Sequence, residues 1–170
     1  MKTVGSIVRT SKSVAFAMAN HAQVSTAKTI VELGSGDGAI TRCILEKMNP
    51  DAKLICFELN PVFCDKLRLI QDSRLEIIQD SAQHLEKHLQ QRSLKQIDCV
   101  ISAIPFVNME HDFTRSIIGP IASSLGKDRP FVQIHYSLLV KKIYQEFFSE
   151  VNIDFMPIHI PPAFVFICKN

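Results

Sequence analysis

No uninterrupted apolar run in this 170-residue chain reaches the roughly 18–20 residues a helix needs to cross a bilayer. A membrane-spanning helix is therefore excluded from the expected fold. Five cysteines are present, at 43, 56, 64, 99 and 168, and no two stand in a Cys-x-x-Cys pair. That absence removes the usual short-spaced redox or zinc motif. Each of the five falls in an apolar stretch, so Cys43, Cys56, Cys64, Cys99 and Cys168 are expected to be reduced core residues of a cytoplasmic protein. Glycine (6) and proline (8) are too few for a collagen-like or low-complexity chain. The opening residues lack a long hydrophobic segment and a cleavage pattern, so secretion is not expected. Residues 1–30 also lack any acidic side chain while holding Lys2, Arg9, Lys12 and Lys28.

The remaining residues are nearly balanced in charge, and the chain as a whole carries +2. A duplex-reading domain would present a broader basic field. A basic amino-terminal arm beside a balanced body fits either attraction to an anionic membrane or a solvated terminus. The length suits one domain, and 46% hydrophobic residues can fill its core.

Short Val-, Ile- and Phe-rich runs at 29–33, 53–58, 75–79, 97–102, 130–135, 150–155 and 163–168 read as strands, the first five as nearly or fully buried. Helical patterns lie between them at about 37–48, 61–70, 82–92, 112–125 and 138–149, with another at 11–22. Asn60 before Pro61 marks a helix start, and Gly126 is expected to stop the helix before it. The rhythm predicts a single Rossmann-like, three-layer α/β domain. Its last two strands are joined by MPIHIPP, too short for a crossover helix, so a seven-stranded, mainly parallel sheet with an antiparallel C-terminal strand is expected. Residues 1–24 divide off as a basic arm and capping helix, and 25–170 as the sheet domain. Within 7–22, Val14, Met18 and Ala22 share one helix face. The expectation for this segment is a cap over the ligand cleft that also meets a membrane surface, or a cap alone.

Residues 31–41, VELGSGDGAIT, carry the sharpest local pattern. A strand delivers Gly34, Ser35, Gly36 and Gly38 to a strand–helix turn, where missing β-carbons let backbone amides approach a ligand. The same letters satisfy the loose dinucleotide fingerprint. Glu58, ending the second strand, can grip the ribose hydroxyls of either kind of cofactor. Glu32 can hold the turn or meet a cationic amino-acid tail. Asp80, in IIQDSA, is placed to accept from an adenine amino group. The fourth strand ends in SAIPF, which puts a proline and an aromatic at the reacting edge.

Taken in order, residues 31–41, Glu58, Asp80–Ser81 and 97–106 resemble the successive signature regions of class I S-adenosylmethionine-dependent methyltransferases. The resemblance implies S-adenosylmethionine as cofactor, with Glu32 and Gly34–Gly38 around the methionine portion, Glu58 at the ribose and Leu59 in the same cofactor site. It also implies Asp80 and Ser81 at the adenine, and Ser102 at the meeting of donor and acceptor. A narrower likeness runs through GSIVRTSKSVAFAM (5–18), FELNPVF (57–63), VISAIPF (100–106) and VQIHYS (132–137). These resemble bacterial phospholipid N-methyltransferases, whose relatives include ribosomal RNA adenine dimethyltransferases. Arg9 stands where that family often has proline.

The implied reaction is N-methylation of an amine-headgroup phospholipid such as phosphatidylethanolamine at an anionic membrane surface, by a cytoplasmic, peripherally bound enzyme. Tyr136, Phe106 and Ser102 are the expected catalytic or acceptor-facing residues, with His135 pointing the opposite way from Tyr136. RNA is the alternative acceptor, its target base flipped from the stack. However, Ser102-Ala103-Ile104-Pro105-Phe106 departs from the Asn/Asp–Pro–Pro–aromatic pattern of adenine methylation. A noncatalytic S-adenosylmethionine-binding module and a nicotinamide dehydrogenase complete the alternatives. Asn108, His111 and Asp112 are expected in an ordinary exposed loop, and His159 in a surface turn. No metal ion is expected.

Overall fold

A computed structural model describes residues 10–170. Lys2, Arg9 and the rest of the basic arm before Thr10 lie outside the described residues. The elements run α1 (Lys12–His21), β1 (Thr29–Leu33), α2 (Ala39–Lys47), β2 (Lys53–Phe57), α3 (Pro61–Arg68), β3 (Leu75–Ile78), α4 (Leu85–Gln91), β4 (Cys99–Ser102), α5 (His111–Ser124), β5 (Phe131–His135), α6 (Lys141–Phe147), β6 (Glu150–Met156) and β7 (Ala163–Lys169). One sheet holds all seven strands in the order β3-β2-β1-β4-β5-β7-β6. β7 pairs antiparallel with both β5 and β6, and the other neighbouring pairs are parallel. The expected hairpin and antiparallel last strand are thus present.

Alternation along the strands builds two cores. Ile30, Leu54, Cys56, Ile101 and Val132 face one way under α1 and α2. Val31, Leu33, Ile55, Val100 and Phe131 face the other, under α4, α5 and α6. All five cysteines are buried and free. β3 departs from the expectation of burial: Glu76 is exposed and only Ile78 is fully inside, because the strand forms the sheet's edge.

Local signals account for the helix starts. Asn60 Oδ1 accepts from Val62 N at 2.9 Å with Pro61 at the first helical position, as the sequence predicts. Ser11 Oγ accepts from Val14 N at 3.4 Å at the start of α1. The Gly126 expectation needs correction. α5 ends at Ser124 with Leu125 as its cap, and Gly126 does not adopt the left-handed turn that would terminate it.

α1 needs a second correction. Val14, Met18 and Ala22 are all buried against the sheet and α2. Burying a side chain such as Val or Met is worth roughly 1.5–3 kcal/mol each, so this face is committed to the core and not offered to a membrane. Among the described residues, no helix is long and apolar enough to cross a membrane.

Candidate active site

The parallel register brings the ends of four strands to one level. Leu33 lies opposite Phe57 on one side and Ser102 on the other, and Phe57 lies opposite Ile78. The next residues therefore converge: Gly34 after β1, Glu58 after β2 and Ala103 after β4. Backbone bonds carry the alignment past the strands, from Gly34 N to Phe57 O (2.9 Å), Glu58 N to Ile78 O (3.1 Å) and Ala103 N to Leu33 O (3.1 Å). The chain reverses its winding between β1 and β4, which is where open α/β sheets place their ligand crevice.

Gly34, Gly36 and Gly38 all have positive φ. At Gly34 a β-carbon would come within 3.0 Å of Ile104 Cγ1, so the turn needs both the conformation and the missing side chain. Gly36 has φ +52° and nothing within 4 Å of where a β-carbon would stand. Its backbone borders open space that a ligand can approach.

Behind the loop, Glu32 is buried to 1% exposure. One carboxylate oxygen accepts from Thr41 Oγ1 at 2.7 Å and from the Cys56 thiol at 3.1 Å. Its Oε1 meets no donor in hydrogen-bonding geometry, although the buried Ser35 hydroxyl stands near enough to favour its charged form. Burial lifts the Glu32 carboxyl to about 7, with the hydrogen bonds from Thr41 and Cys56 only partly offsetting it. A buried acid with a free oxygen beside a bare glycine turn fits a ligand that carries a cationic amine. Thr41 escapes sequence reading as a site residue, although it stands one helix turn inside the same eleven-residue motif.

Glu58 is held in place by two backbone amides. Gly36 N donates to Oε2 and Asn60 N to Oε1, each at 2.8 Å. Each oxygen keeps acceptor capacity for a hydroxyl. Leu59 follows at 65% exposure, an apolar surface beside that carboxylate.

Asp80 is more occupied than the sequence suggests. It accepts from Ser81 N (2.7 Å), His84 Nδ1 (2.8 Å) and His88 Nε2 (2.8 Å). The His88 and His84 bonds hold its carboxyl far below the usual range, so it is ionised. Spacing of four and eight residues from Asp80 is the signal that could have found both histidines. Ser81 uses its hydroxyl to accept from Gln83 N at 3.3 Å, which caps the short turn before α4.

Two acceptor-side expectations are corrected. Phe106 is 1% exposed within the α5–α6 core, its ring 6.2 Å from that of His135. The chain turns at Pro105, and this aromatic goes inward instead of facing an acceptor. Ser102 is fully buried and accepts from Ile104 N at 3.2 Å, so its oxygen steadies the loop. Gln133, unmarked in the sequence, donates to Ile104 O at 3.0 Å and clamps the same loop from β5.

Tyr136 alone of the three catalytic expectations shows a partly exposed ring, at 38%. His135 does point the other way, into the core, where its ring lies 2.6 Å from the Tyr144 hydroxyl. His159 was expected on the surface, yet it is buried at 6%. Its ring lies 5.7 Å from that of Tyr136, with Nδ1 bonded to Pro161 O (2.7 Å) and Nε2 accepting from Ser11 N (3.4 Å). The start of α1 covers what a Pro-flanked turn alone would expose. Asn108, His111 and Asp112 are exposed, but they do not form an ordinary loop: Asn108 ends a short 3-10 turn and His111 and Asp112 open α5. Among the described residues no His, Cys, Asp and Glu cluster suits a metal ion.

Comparison with known proteins agrees with this geometry. The model for FtsJ-like methyltransferases matches residues 15–153. An ornithine lipid N-methyltransferase of Singulisphaera acidiphila is 30% identical over 147 residues, 85% of this chain and 77% of that protein. Ribosomal RNA small subunit methyltransferase H of Nitrosospira multiformis is 31% identical over 91 residues, 51% of this chain but 29% of that protein. In fold, the chain resembles precorrin-6y C5,15-methyltransferase from Geobacter metallireducens, with a TM-score of 0.75 at 14% identity, covering 100% of this chain and 94% of that one.

Proposed function

We propose that this chain, which belongs to the FtsJ-like methyltransferase family, transfers the methyl group of S-adenosylmethionine to the amine of a membrane-lipid headgroup. S-adenosylmethionine supplies an electrophilic methyl carbon on a sulfonium centre. On this reading, Glu32 meets the donor's ammonium, Glu58 accepts from its ribose hydroxyls, Leu59 lies along its base and Asp80 accepts from its adenine amine. The unpartnered Glu32 Oε1 and the open space at Gly36 support this assignment.

The observation that carries the acceptor assignment is the makeup of the 102–106 edge. Reading an adenine calls for a polar side chain that accepts from its exocyclic amine. Here Ser102 is bonded to Ile104 N, Ile104 is apolar and Phe106 is inside the core. Such an edge suits a small aliphatic amine attached to an apolar molecule. The similarity to a protein named for ornithine lipid methylation points the same way.

The attacking nitrogen must be neutral, since its lone pair forms the new N–C bond as the C–S bond breaks. Burial raises the Tyr136 hydroxyl above its ordinary range, so at neutral pH it is a phenol. A phenol orients the amine by hydrogen bonding and is a poor acceptor for its proton. Both His159 nitrogens are engaged, which leaves that ring to support Tyr136. Catalysis then rests on alignment and exclusion of water, and the proton departs to solvent as the amine docks.

RNA methylation, with adenine as the target the sequence suggests, is the second reading; the 91-residue match to a ribosomal RNA methyltransferase favours RNA as acceptor without naming the base. A labelled methyl-transfer assay offering phosphatidylethanolamine vesicles, ornithine-lipid vesicles and ribosomal RNA in parallel separates the two. Label is expected in a lipid fraction, and label confined to RNA would overturn the lipid assignment.

A further inference from the structure

Building on the lipid reading, we infer that the enzyme docks on an anionic bilayer through two apolar loop tips that flank Tyr136: the β5–α6 connection and the β6–β7 turn. Leu138 and Leu139 in the first are 46% and 81% exposed, and Ile158 and Ile160 in the second are 93% and 90% exposed. Large aliphatic side chains this open are unfavourable in water, and a contiguous group of them marks an interaction surface.

Topology puts the two tips together. β5 and β6 run in the same direction, each antiparallel to β7. The residues after His135 and after Met156 therefore leave the sheet at one edge, the edge that also carries Gly34, Glu58 and Ala103. The Tyr136–His159 ring contact at 5.7 Å joins the tips directly. Ser11 N, bonded to His159, ties the start of α1 to the same place.

Charge identifies the occupant. Lys141 and Lys142 follow the first tip and are exposed, and Lys12 stands beside Ser11. Segments 136–145 and 155–163 contain no acidic residue, and nearby Asp154 is bonded to His21 at 2.8 Å. Exposed aliphatic tips with lysines beside them suit lipid chains below an anionic headgroup layer. A second copy of the chain packed symmetrically on this patch would bring the same lysines towards one another. The amine to be methylated then arrives from the membrane beside Tyr136, without the lipid leaving the bilayer. α1 contributes its amino-terminal end here, while its apolar face stays in the core.

The test is flotation of the full chain with phosphatidylcholine vesicles containing or lacking phosphatidylglycerol. The Leu139→Ser/Ile158→Ser/Ile160→Ser variant is compared, with S-adenosylmethionine affinity checked by calorimetry as the measure of intact folding. The wild type is expected to float with the anionic vesicles, and the variant to bind at least about tenfold more weakly, as the loss of three aliphatic side chains inserted into lipid implies. Lys141→Gln/Lys142→Gln should remove much of the dependence on phosphatidylglycerol. Equal flotation of wild type and triple variant would overturn the surface, as would absence of wild-type binding. A vesicle-free dimer dissolved by the triple substitution would overturn it in favour of self-association. Methyl transfer to detergent-dispersed amine lipid is read separately. Its absence from a wild type that floats would defeat the lipid-amine reading and leave the docking surface standing.

Discussion

The two halves of the active-site edge are built by opposite means. At the ends of β1, β2 and β3, polar side chains are fixed by short bonds: Glu32 by Thr41, Glu58 by two amides, Asp80 by two histidines. At the ends of β4, β5 and β6, the polar groups turn inward to hold the loop. Ser102 and Gln133 both bond to Ile104, and the outward residues after β5 and β6 include Tyr136 and exposed aliphatics. The first half offers fixed, directional acceptors, which the proposed function assigns to a charged, hydroxyl-rich donor. The second offers apolar surface and one phenol, which the proposed function assigns to an acceptor with a small reacting nitrogen and an apolar remainder.

Removing the shared scaffold tests whether the halves are separable at all. Phe106→Ala should cost about 3–5 kcal/mol of stability through a core cavity, visible as a large fall in melting temperature. Unchanged melting with selective loss of acceptor transfer would return Phe106 to the substrate side. Next in size, Glu58→Ala should weaken donor binding by roughly tenfold or more, from the loss of charge-assisted bonds worth about 1.5–3 kcal/mol. Calorimetry on the folded variant checks this, and an unaltered affinity would remove Glu58 from the donor half.

Glu32 links this comparison to pH. Its carboxyl is raised to about 7 in the folded protein, from an ordinary value of 4.5. The unfolded chain therefore ionises first. The stabilising contribution is complete below about pH 4.5, is lost progressively as pH rises through about 7, and amounts to on the order of 3 kcal/mol. Binding of a cationic amine favours the ionised form, so donor affinity should strengthen between pH 6 and 7.5, up to about tenfold per unit. In Glu32→Gln that slope should flatten, while thermal stability of the donor-free protein at pH 8 rises. A wild-type affinity flat across this window would separate Glu32 from the ammonium. The smallest effect belongs to the acceptor half. Tyr136→Phe should lower methyl transfer by roughly tenfold or less, consistent with the loss of one hydrogen bond, and leave donor affinity unaltered. A matching loss of donor affinity would erase the distinction between the halves.

The β1–β3 half was the more legible from sequence, for a physical reason. Glycines needing positive φ, carboxylates at strand ends and the Asn60–Pro61 cap are local demands that leave local letters. Strand runs and the short MPIHIPP connection similarly revealed the sheet and its reversed last strand. What could not be read was direction after a break in periodicity. Past Ser102 the alternation ends, so nothing in SAIPF says that Phe106 turns inward. His159 looks like a turn residue because the covering Ser11 is 148 positions away. The two histidines on Asp80 were visible as a spacing, but their meaning depended on knowing where β3 ends. Val14 and Met18 formed a readable apolar stripe, yet a stripe does not say whether core or membrane covers it.

The most direct test of the central claim is mass spectrometry of total lipids and of RNA nucleosides from cells producing the wild-type chain or the Glu58→Ala variant. The account predicts amine lipids heavier by whole methyl increments with the wild type, greatly reduced with the variant, and RNA adenines unaltered. Unmodified lipids accompanied by newly methylated adenine would contradict it.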